Sequence, residues 1–167
     1  MKRPTHRYLI ALGSNQRHAV FGSPDDIISA ALVKIAGHGI AVEAASAVVH
    51  SRPLGPSLRE YANAAAIVRT ALEPPALLAL LQQVESRFGR RRLGQPWRAR
   101  TLDLDIVLWS GGCWADDALV IPHREMRNRA FVLRPAAAIA PRWRDPLSGL
   151  TLKHLLTRLT RRRAPLR

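Results

Sequence analysis

The sequence predicts an α+β fold, a ferredoxin-like βαββαβ core in which helices pack on an antiparallel sheet. The chain has 167 residues, which is enough for one domain with a substantial core. Apolar residues make up 47% of the chain, so a packed globule is expected rather than disorder. Strand-like and helix-like segments follow one another in the order of two βαβ halves. We therefore expect residues 1–167 to form a single domain.

The first half of the chain carries a strand, a helix and a second strand. Arg7–Leu12 is a short apolar run that the following GSN interrupts, which predicts a strand. Ser23–Asp26 has the spacing of a capping box with proline at the first helical position, and apolar residues then recur at helical period as far as Gly37. Ile40–Val49 shows little helical period and is predicted as a strand.

A loop leads into the second half, because Ser51–Ser57 holds two prolines and a glycine. Tyr61–Thr70 is then predicted as a strand, although it is rich in alanine. Pro74 and Pro75 open a second helix with a leucine-rich stripe, and Gly89 ends it. These elements complete the second βα unit.

The remaining segments are shorter. Arg90–Arg100 contains glycine and proline and is predicted as a loop, and Leu102–Trp109 is predicted as a buried strand. Leu119–Ile121 is a short extended piece, Phe131–Ala138 is predicted as a helix, and Leu150–Leu159 is predicted as a terminal amphipathic helix.

The net charge of +14 is high and unevenly distributed. Six arginines and no acid lie between Glu85 and Asp103, and no acid follows Thr151. A basic surface suits phosphorylated small molecules, nucleic acid or an anionic membrane. No segment approaches the roughly 18 apolar residues of a membrane span, and the single cysteine, Cys113, fits a reducing compartment. We expect a soluble, cytoplasmic protein.

The stretch RTLDLDI places two carboxylates on one face of a predicted strand. Asp103 and Asp105 alternate with apolar residues, so their β-carbons lie roughly 7 Å apart on the same side. Carboxylates this close repel one another and are costly to bury, which a bound cation between them would relieve. Oxygen ligands on a rigid strand suit Mg²⁺ completed by water and phosphate. The alternative is a surface pair neutralised by nearby arginines.

The arginine-rich loop before this strand favours phosphoryl transfer over the alternative of a solvated basic loop. Arginine binds phosphate oxygens with two donors and keeps its charge. Exposure of the Trp97 ring to water costs free energy unless the loop closes over another group. A second basic cluster follows at Pro122–Phe131, with His123, Arg124, Arg127 and Arg129. No glycine-rich phosphate loop is present, so side chains are expected to hold any nucleotide.

Five segments are similar, in order and spacing, to the 6-hydroxymethyl-7,8-dihydropterin pyrophosphokinase family of folate synthesis. They are LGSN (Leu12–Asn15), PLGP with YANAA (Pro53–Ala65), QQVESRFGR, the run from Trp97 to Ile106, and PH-x-x-M-x-x-RAFVL-x-P (Pro122–Pro135). The resemblance implies that ATP, as co-substrate, donates its β,γ-pyrophosphoryl group to the hydroxymethyl oxygen of the pterin, and that AMP leaves.

The resemblance also implies roles for individual residues. Two Mg²⁺ ions would be held by Asp103 and Asp105, and the transferring group would be stabilised by Arg90 and Arg100. Contacts to ATP would come from Gln82, Glu85, Arg92, Trp97, Ile106, His123 and Arg129. Contacts to the pterin would come from Ser51, Leu54, Gly55, Tyr61, Asn63 and Phe131. Two aromatic rings and an amide suit a flat, polar heterocycle, although Tyr61 and Phe131 could also be ordinary core residues.

Two other functions stay open on the sequence alone. A basic ferredoxin-like domain can be an RNA-binding module, but the strands lack the aromatic pattern of such modules and the two aspartates would repel RNA. A catalytically silent relative that still binds nucleotide is the second alternative. For the main interpretation we expect ATP and a reduced pterin as the partners, a monomer, and no binding to membrane or nucleic acid. The basic C-terminal tail is expected to be a solvated end.

Overall fold

The computed structural model describes residues 5–52, 60–89 and 101–161. The strands are β1 His6–Ser14, β2 Ala41–Ala45, β3 Val49–Ser51, β4 Tyr61–Thr70, β5 Asp103–Trp109, β6 Trp114–Ala115 and β7 Val120–Ile121. The helices are α1 Pro24–Gly37, α2 Pro74–Arg87, α3 Ala130–Ile139 and α4 Leu152–Arg161, with a short 3-10 helix at Met126–Asn128 before α3. None of the helices in these ranges is long and apolar enough to cross a membrane.

The main sheet confirms the predicted ferredoxin-like core. Its strand order is β2-β4-β1-β5, β3 pairs with β4 as well, and all these pairs are antiparallel. Strand β4 lies between β1 and β2, and β1 lies between β4 and β5, so each βαβ unit is split by a strand of the other. The short strands β6 and β7 form a separate hairpin.

Local sequence accounts well for both large helices. At the start of α1, Asp26 N–H donates to Ser23 Oγ at 3.3 Å, and Ser23 N–H donates to Asp26 Oδ2 at 2.9 Å. This is the predicted capping box, with Pro24 at the first helical position. Helix α2 begins at the proline pair as predicted and buries Leu77, Leu81 and Val84.

Two strand boundaries differ from the prediction. The expected strand 40–49 is two strands, β2 and β3, which pair with successive parts of β4. Between them, Ser46 N–H donates to Ala65 O at 2.8 Å, and Ala65 N–H donates to Ser46 Oγ at 3.0 Å. A side-chain oxygen therefore replaces a backbone carbonyl as the acceptor at this point of the sheet. Strand β1 continues through Gly13 and Ser14, where the sequence predicted its end, because β4 pairs with both residues and β5 pairs with Gly13.

The two faces of the sheet carry two different cores. One face, which includes Ile10, Leu12 and Ala64, packs against α1 and α2. The opposite face, which includes Leu9 and Ile67, packs against α3 and α4. Neither apolar cluster includes the residues at the far end of this second face, where β1 passes between the ends of β4 and β5.

Candidate active site

A polar row crosses the sheet at this end of the second face. Gly13 of β1 pairs with Asn63 of β4 on one side and with Asp103 of β5 on the other. Two residues further back along β1, Ala11 pairs with Asp105. Since neighbouring strands lie about 4.8 Å apart, Asn63 and Asp103 are about 10 Å apart across Gly13. An amide and two carboxylates therefore flank a strip of β1 that carries only small side chains.

The two aspartates have the geometry that the sequence predicted. Both are partly buried, and they alternate with the core residues Leu104 and Ile106, which face α1 and α2. The side chain of Asp105 is 41% exposed, so it is accessible to a ligand. The described residues contain no group of three or more Asp, Glu, His or Cys side chains that could hold a metal. Two carboxylates on one face of a strand are a donor set that fits a hard cation which takes its remaining ligands from water or phosphate, as Mg²⁺ does.

His123 lies beside Asp105. The main-chain N–H of His123 donates to Val107 O at 3.0 Å, which fixes the segment against β5. The ring nitrogen Nε2 lies 3.8 Å from Asp105 Oδ2. Glu125 N–H donates to His123 Nδ1 at 3.2 Å, so Nδ1 is an acceptor and the neutral ring carries its proton at Nε2. The ring therefore presents a donor toward the carboxylate and toward any anion bound near it.

A buried carboxylate of α2 forms a hydrogen bond to the backbone of β5, the strand that carries the two aspartates. Glu85 of α2 is only 2% exposed, and its Oε1 accepts a hydrogen bond from Leu104 N–H at 2.8 Å. Leu104 is the residue between the two aspartates, so this bond fixes the backbone that carries both of them. The nucleotide contact implied for Glu85 remains a prediction. Its contact with Leu104 was not predicted, because nothing in the local sequence of α2 indicates a partner on β5.

Replacing Glu85 by alanine is expected to lower the free energy of unfolding by about 1–3 kcal/mol, because a buried N–H group loses its acceptor. Glutamine at this position keeps an acceptor oxygen of nearly the same reach, so Glu85→Gln is expected to recover most of that loss. Urea denaturation of the two variants and the wild-type protein measures the difference. Equal stability of Glu85→Ala and wild type would contradict a structural role for the bond.

The amide of Asn63 is held in one orientation. Its Nδ2 donates to Ser51 Oγ at 2.9 Å, to Tyr61 O at 3.3 Å and to Val49 O at 3.4 Å. Backbone carbonyls can only accept, so the nitrogen must lie on this side and Oδ1 on the other. Asn63 is 5% exposed, and no described residue donates to its Oδ1. The pterin contact implied for Ser51 remains a prediction. The structure shows a further role for this residue, because its hydroxyl orients the amide of Asn63.

Two aromatic residues lie at the start of the elements next to Asn63. Tyr61 begins β4 and Phe131 lies in the first turn of α3, and both are partly buried. Helix α3 packs against β3 and β4. The guanidinium carbon of Arg129 lies 5.8 Å from the centre of the Phe131 ring, in a cation–π contact.

The other predicted site residues fall into two groups. Gln82 is partly buried on α2, and the side chain of Ile106 is buried in the core, so a nucleotide contact from Ile106 would have to come from its main chain. Predictions that lie outside the described residues concern Leu54, Gly55, Arg90, Arg92, Trp97 and Arg100.

One arginine of the second basic cluster has a structural partner. Arg127 donates to both carboxylate oxygens of Asp145, at 2.7 Å from Nε and 2.6 Å from Nη2. Asp145 is fully buried and also accepts from Ser148 Oγ and Leu147 N–H. The basic character of the cluster alone does not separate this residue from Arg129, which has no such ion pair among the described residues.

Comparison with known proteins agrees with the resemblance. The sequence model of the family described as 7,8-dihydro-6-hydroxymethylpterin-pyrophosphokinase (HPPK) matches residues 9–141. A 2-amino-4-hydroxy-6-hydroxymethyldihydropteridine pyrophosphokinase of Synechocystis sp. is 40% identical over 151 residues, which are 90% of this chain and 75% of that protein. The protein of the same name in Haemophilus influenzae is 41% identical over 133 residues, which are 78% of this chain and 79% of that protein.

Solved structures agree with the fold. The crystal structure of Plasmodium falciparum HPPK-DHPS with pteroate superposes with a TM-score of 0.72 at 11% identity, over 97% of this chain and 44% of that chain. At this identity the superposition shows the fold alone, and our chain spans less than half of that protein. The match to the family model runs from within β1 to just past the end of α3 and includes Asn63, Asp103, Asp105 and His123. The chain therefore belongs to the HPPK family.

Proposed function

We propose that the protein transfers the β,γ-pyrophosphoryl group of ATP to the hydroxymethyl oxygen of 6-hydroxymethyl-7,8-dihydropterin in folate biosynthesis. It is thus an ATP-dependent pyrophosphokinase, a diphosphotransferase. The observation that carries this proposal is the polar row on the sheet, in which a fixed amide and a pair of carboxylates face each other across Gly13. The amide suits a heterocycle, and the carboxylates suit a cation bound to phosphate. Family membership supports the same reaction.

In this reaction the hydroxymethyl oxygen forms a bond to the β-phosphorus of ATP. The bond from that phosphorus to the bridging oxygen of the α-phosphate breaks, AMP leaves with the bonding electrons, and the hydroxyl proton passes to solvent. Positioning and neutralisation of charge contribute most of the catalysis in phosphoryl transfer. The protein has little need of a strong base, and we assign none.

The carboxylates of Asp103 and Asp105 would hold two Mg²⁺ ions. Bound Mg²⁺ supplies charge neutralisation on the triphosphate and polarises the acceptor oxygen. The residues of the chain hold this arrangement in place: Glu85 fixes the backbone between the two aspartates, and His123 presents Nε2–H beside Asp105. Arg129, whose guanidinium carbon lies 5.8 Å from the centre of the Phe131 ring, would contact a phosphate of the nucleotide.

The pterin would bind at the opposite side of the row. We infer that Tyr61 and Phe131 cover its two faces, while Asn63 Oδ1 accepts from its amide edge. Ser51 holds that amide in place. Backbone contacts from Leu54 and Gly55 would add to the binding, as the resemblance implies. The nucleotide would be held by side chains from α2, from residues 90–100 and from the segment after β7. These are Gln82, Glu85, Arg90, Arg92, Trp97, Arg100, His123 and Arg129, and Ile106 would contribute its main chain.

The products of the reaction test this function. With Mg·ATP and 6-hydroxymethyl-7,8-dihydropterin, we expect AMP and the pterin diphosphate in equal amounts, and no AMP when the pterin is left out. Chromatography of the nucleotides after incubation measures this directly. ADP as the product would show an ordinary kinase. ATP binding without turnover would favour the catalytically silent alternative, and both results would overturn the proposal.

A further inference from the structure

A cleft opens on the second face of the sheet, at the end that lies away from the candidate active site. This distal cleft is bordered by the start of β1, by the turn after β5 and by the connection from α3 to α4, and its volume is about 590 Å³. Sites for small molecules typically have volumes of about 300–1,000 Å³. Arg7, which lines the cleft, precedes Gly13 by six residues on β1, so the cleft is about 20 Å from the polar row.

Apolar side chains line one part of the distal cleft. Ile67 of β4 and Ile139 at the end of α3 both belong to the second core or pack against it, and the ring of Trp143 does so too. The backbone of Trp143 is fixed on both sides, because its N–H donates to Ala140 O at 3.1 Å and its carbonyl accepts from Leu152 N–H at 2.9 Å. These side chains therefore form a preformed surface that suits a flat, apolar group.

Hydrogen-bond donors border the same cleft, and its lining contains no acid. Arg142 is exposed, and its guanidinium has no ion pair within the described part of the chain. Ser110 Oγ accepts from Arg7 N–H at 3.0 Å, which leaves the hydroxyl proton for another acceptor. Arg7 shares the carboxylate of Glu43 with Arg69, at 2.7 and 3.0 Å, so one negative charge stands against two positive charges. The cleft therefore carries an excess of positive charge.

We propose that the distal cleft is a second binding site, for a small organic anion that carries a carboxylate or phosphate group on a flat apolar ring. Arg142 binds the anionic group through its paired N–H donors, and the Ser110 hydroxyl adds a further donor. The ring lies against the apolar surface formed by Ile67 and Ile139. This site is independent of the proposed function, because it uses neither the amide nor the carboxylates of the polar row.

Calorimetric titration with naphthyl phosphate tests the proposal, with Mg²⁺, α,β-methylene-ATP and 6-hydroxymethyl-7,8-dihydropterin present to occupy the candidate active site. We expect a single site per chain, and a Kd that rises about tenfold in Arg142→Ala because a charged hydrogen bond to the anion is lost. The Tm and AMP formation of this variant should stay at wild-type values, since Arg142 is exposed. Arg134→Ala is the matched control, because it removes the same charge from an exposed position on α3 outside the cleft. Asp105→Asn should also bind naphthyl phosphate with the wild-type Kd.

The proposal is overturned by an unchanged Kd in Arg142→Ala, by an equal loss in both arginine variants, or by inorganic phosphate that binds as tightly as naphthyl phosphate. Lost binding in Asp105→Asn would also overturn it, because the anion would then occupy the candidate active site. Naphthoate, titrated in the same way, distinguishes the two kinds of anion: tighter binding than naphthyl phosphate assigns the cleft to carboxylates, and weaker binding assigns it to phosphate esters. A wild-type protein that binds naphthyl phosphate but forms no AMP would overturn the proposed function and leave this inference in place.

Discussion

Replacing Asp105 by asparagine is expected to lower the rate of AMP formation by about a thousandfold or more while the protein remains folded. Asparagine keeps the size of the side chain and removes the charge that the cation site needs. The fold should tolerate the change, because the side chain is 41% exposed and the strand around it is held by its ladder with β1 and by Glu85. Nucleotide analysis of the products gives the rate, and thermal unfolding gives the stability.

The matched control for this variant is Asp117→Asn, which makes the same change in net charge. Asp117 is exposed in the turn between β6 and β7, on a hairpin that is not part of the main sheet. We expect its activity to equal that of wild type. Undiminished AMP formation by Asp105→Asn would contradict the assignment of a cation to this carboxylate, and an equal loss in both variants would show a general effect of charge.

Features fixed by local chemistry were predicted well from the sequence. The capping box at Ser23, the proline pair that opens α2 and the limits of β4 all follow from residues within one turn or one strand. The same is true of the aspartate pair, since alternation along a strand is enough to place Asp103 and Asp105 on one face.

Features fixed by pairing across the sheet were not predictable in the same way. The GSN after Leu12 predicts the end of a strand, yet β5 pairs with β1 as far as Gly13 and β4 pairs with it as far as Ser14. The bond from Leu104 N–H to Glu85 joins residues 19 apart in sequence, which no local pattern indicates.

The basic cluster at Pro122–Phe131 shows the same limit for charged residues. Composition alone assigned every arginine of Pro122–Phe131 to one group, and the resemblance separated Arg129 as a phosphate ligand. The structure gives Arg127 a buried partner, Asp145, which lies 18 residues further along the chain. Only the tertiary contact distinguishes an arginine that supports the fold from one that is available to a ligand.

Replacing Arg127 by alanine is expected to lower the free energy of unfolding by about 3 kcal/mol, because it leaves a fully buried carboxylate without its counter-ion. Asp145 and Ser148 belong to the turn between α3 and α4, so the ion pair ties the segment that carries His123 to the C-terminal part of the fold. Urea denaturation measures the loss. Arg134→Ala is the control, since Arg134 is exposed on α3, and its stability should stay close to that of wild type.

The pH dependence of the free energy of unfolding tests whether Asp145 is charged in the folded protein. Burial, the largest single influence, would raise the pKa of Asp145, but hydrogen bonds from Arg127, Ser148 and Leu147 N–H together lower it below its ordinary value of 3.8. A lowered pKa means that the carboxylate stabilises the folded state above about pH 4, and that this contribution is lost as the pH falls through the folded-state pKa. Asp145→Asn should therefore be less stable than wild type at pH 7, with a difference that narrows below about pH 4. A difference that stays constant between pH 7 and pH 3 would contradict a charged Asp145 in the folded protein, and the stability of Arg127 variants would then need a cause other than the ion pair.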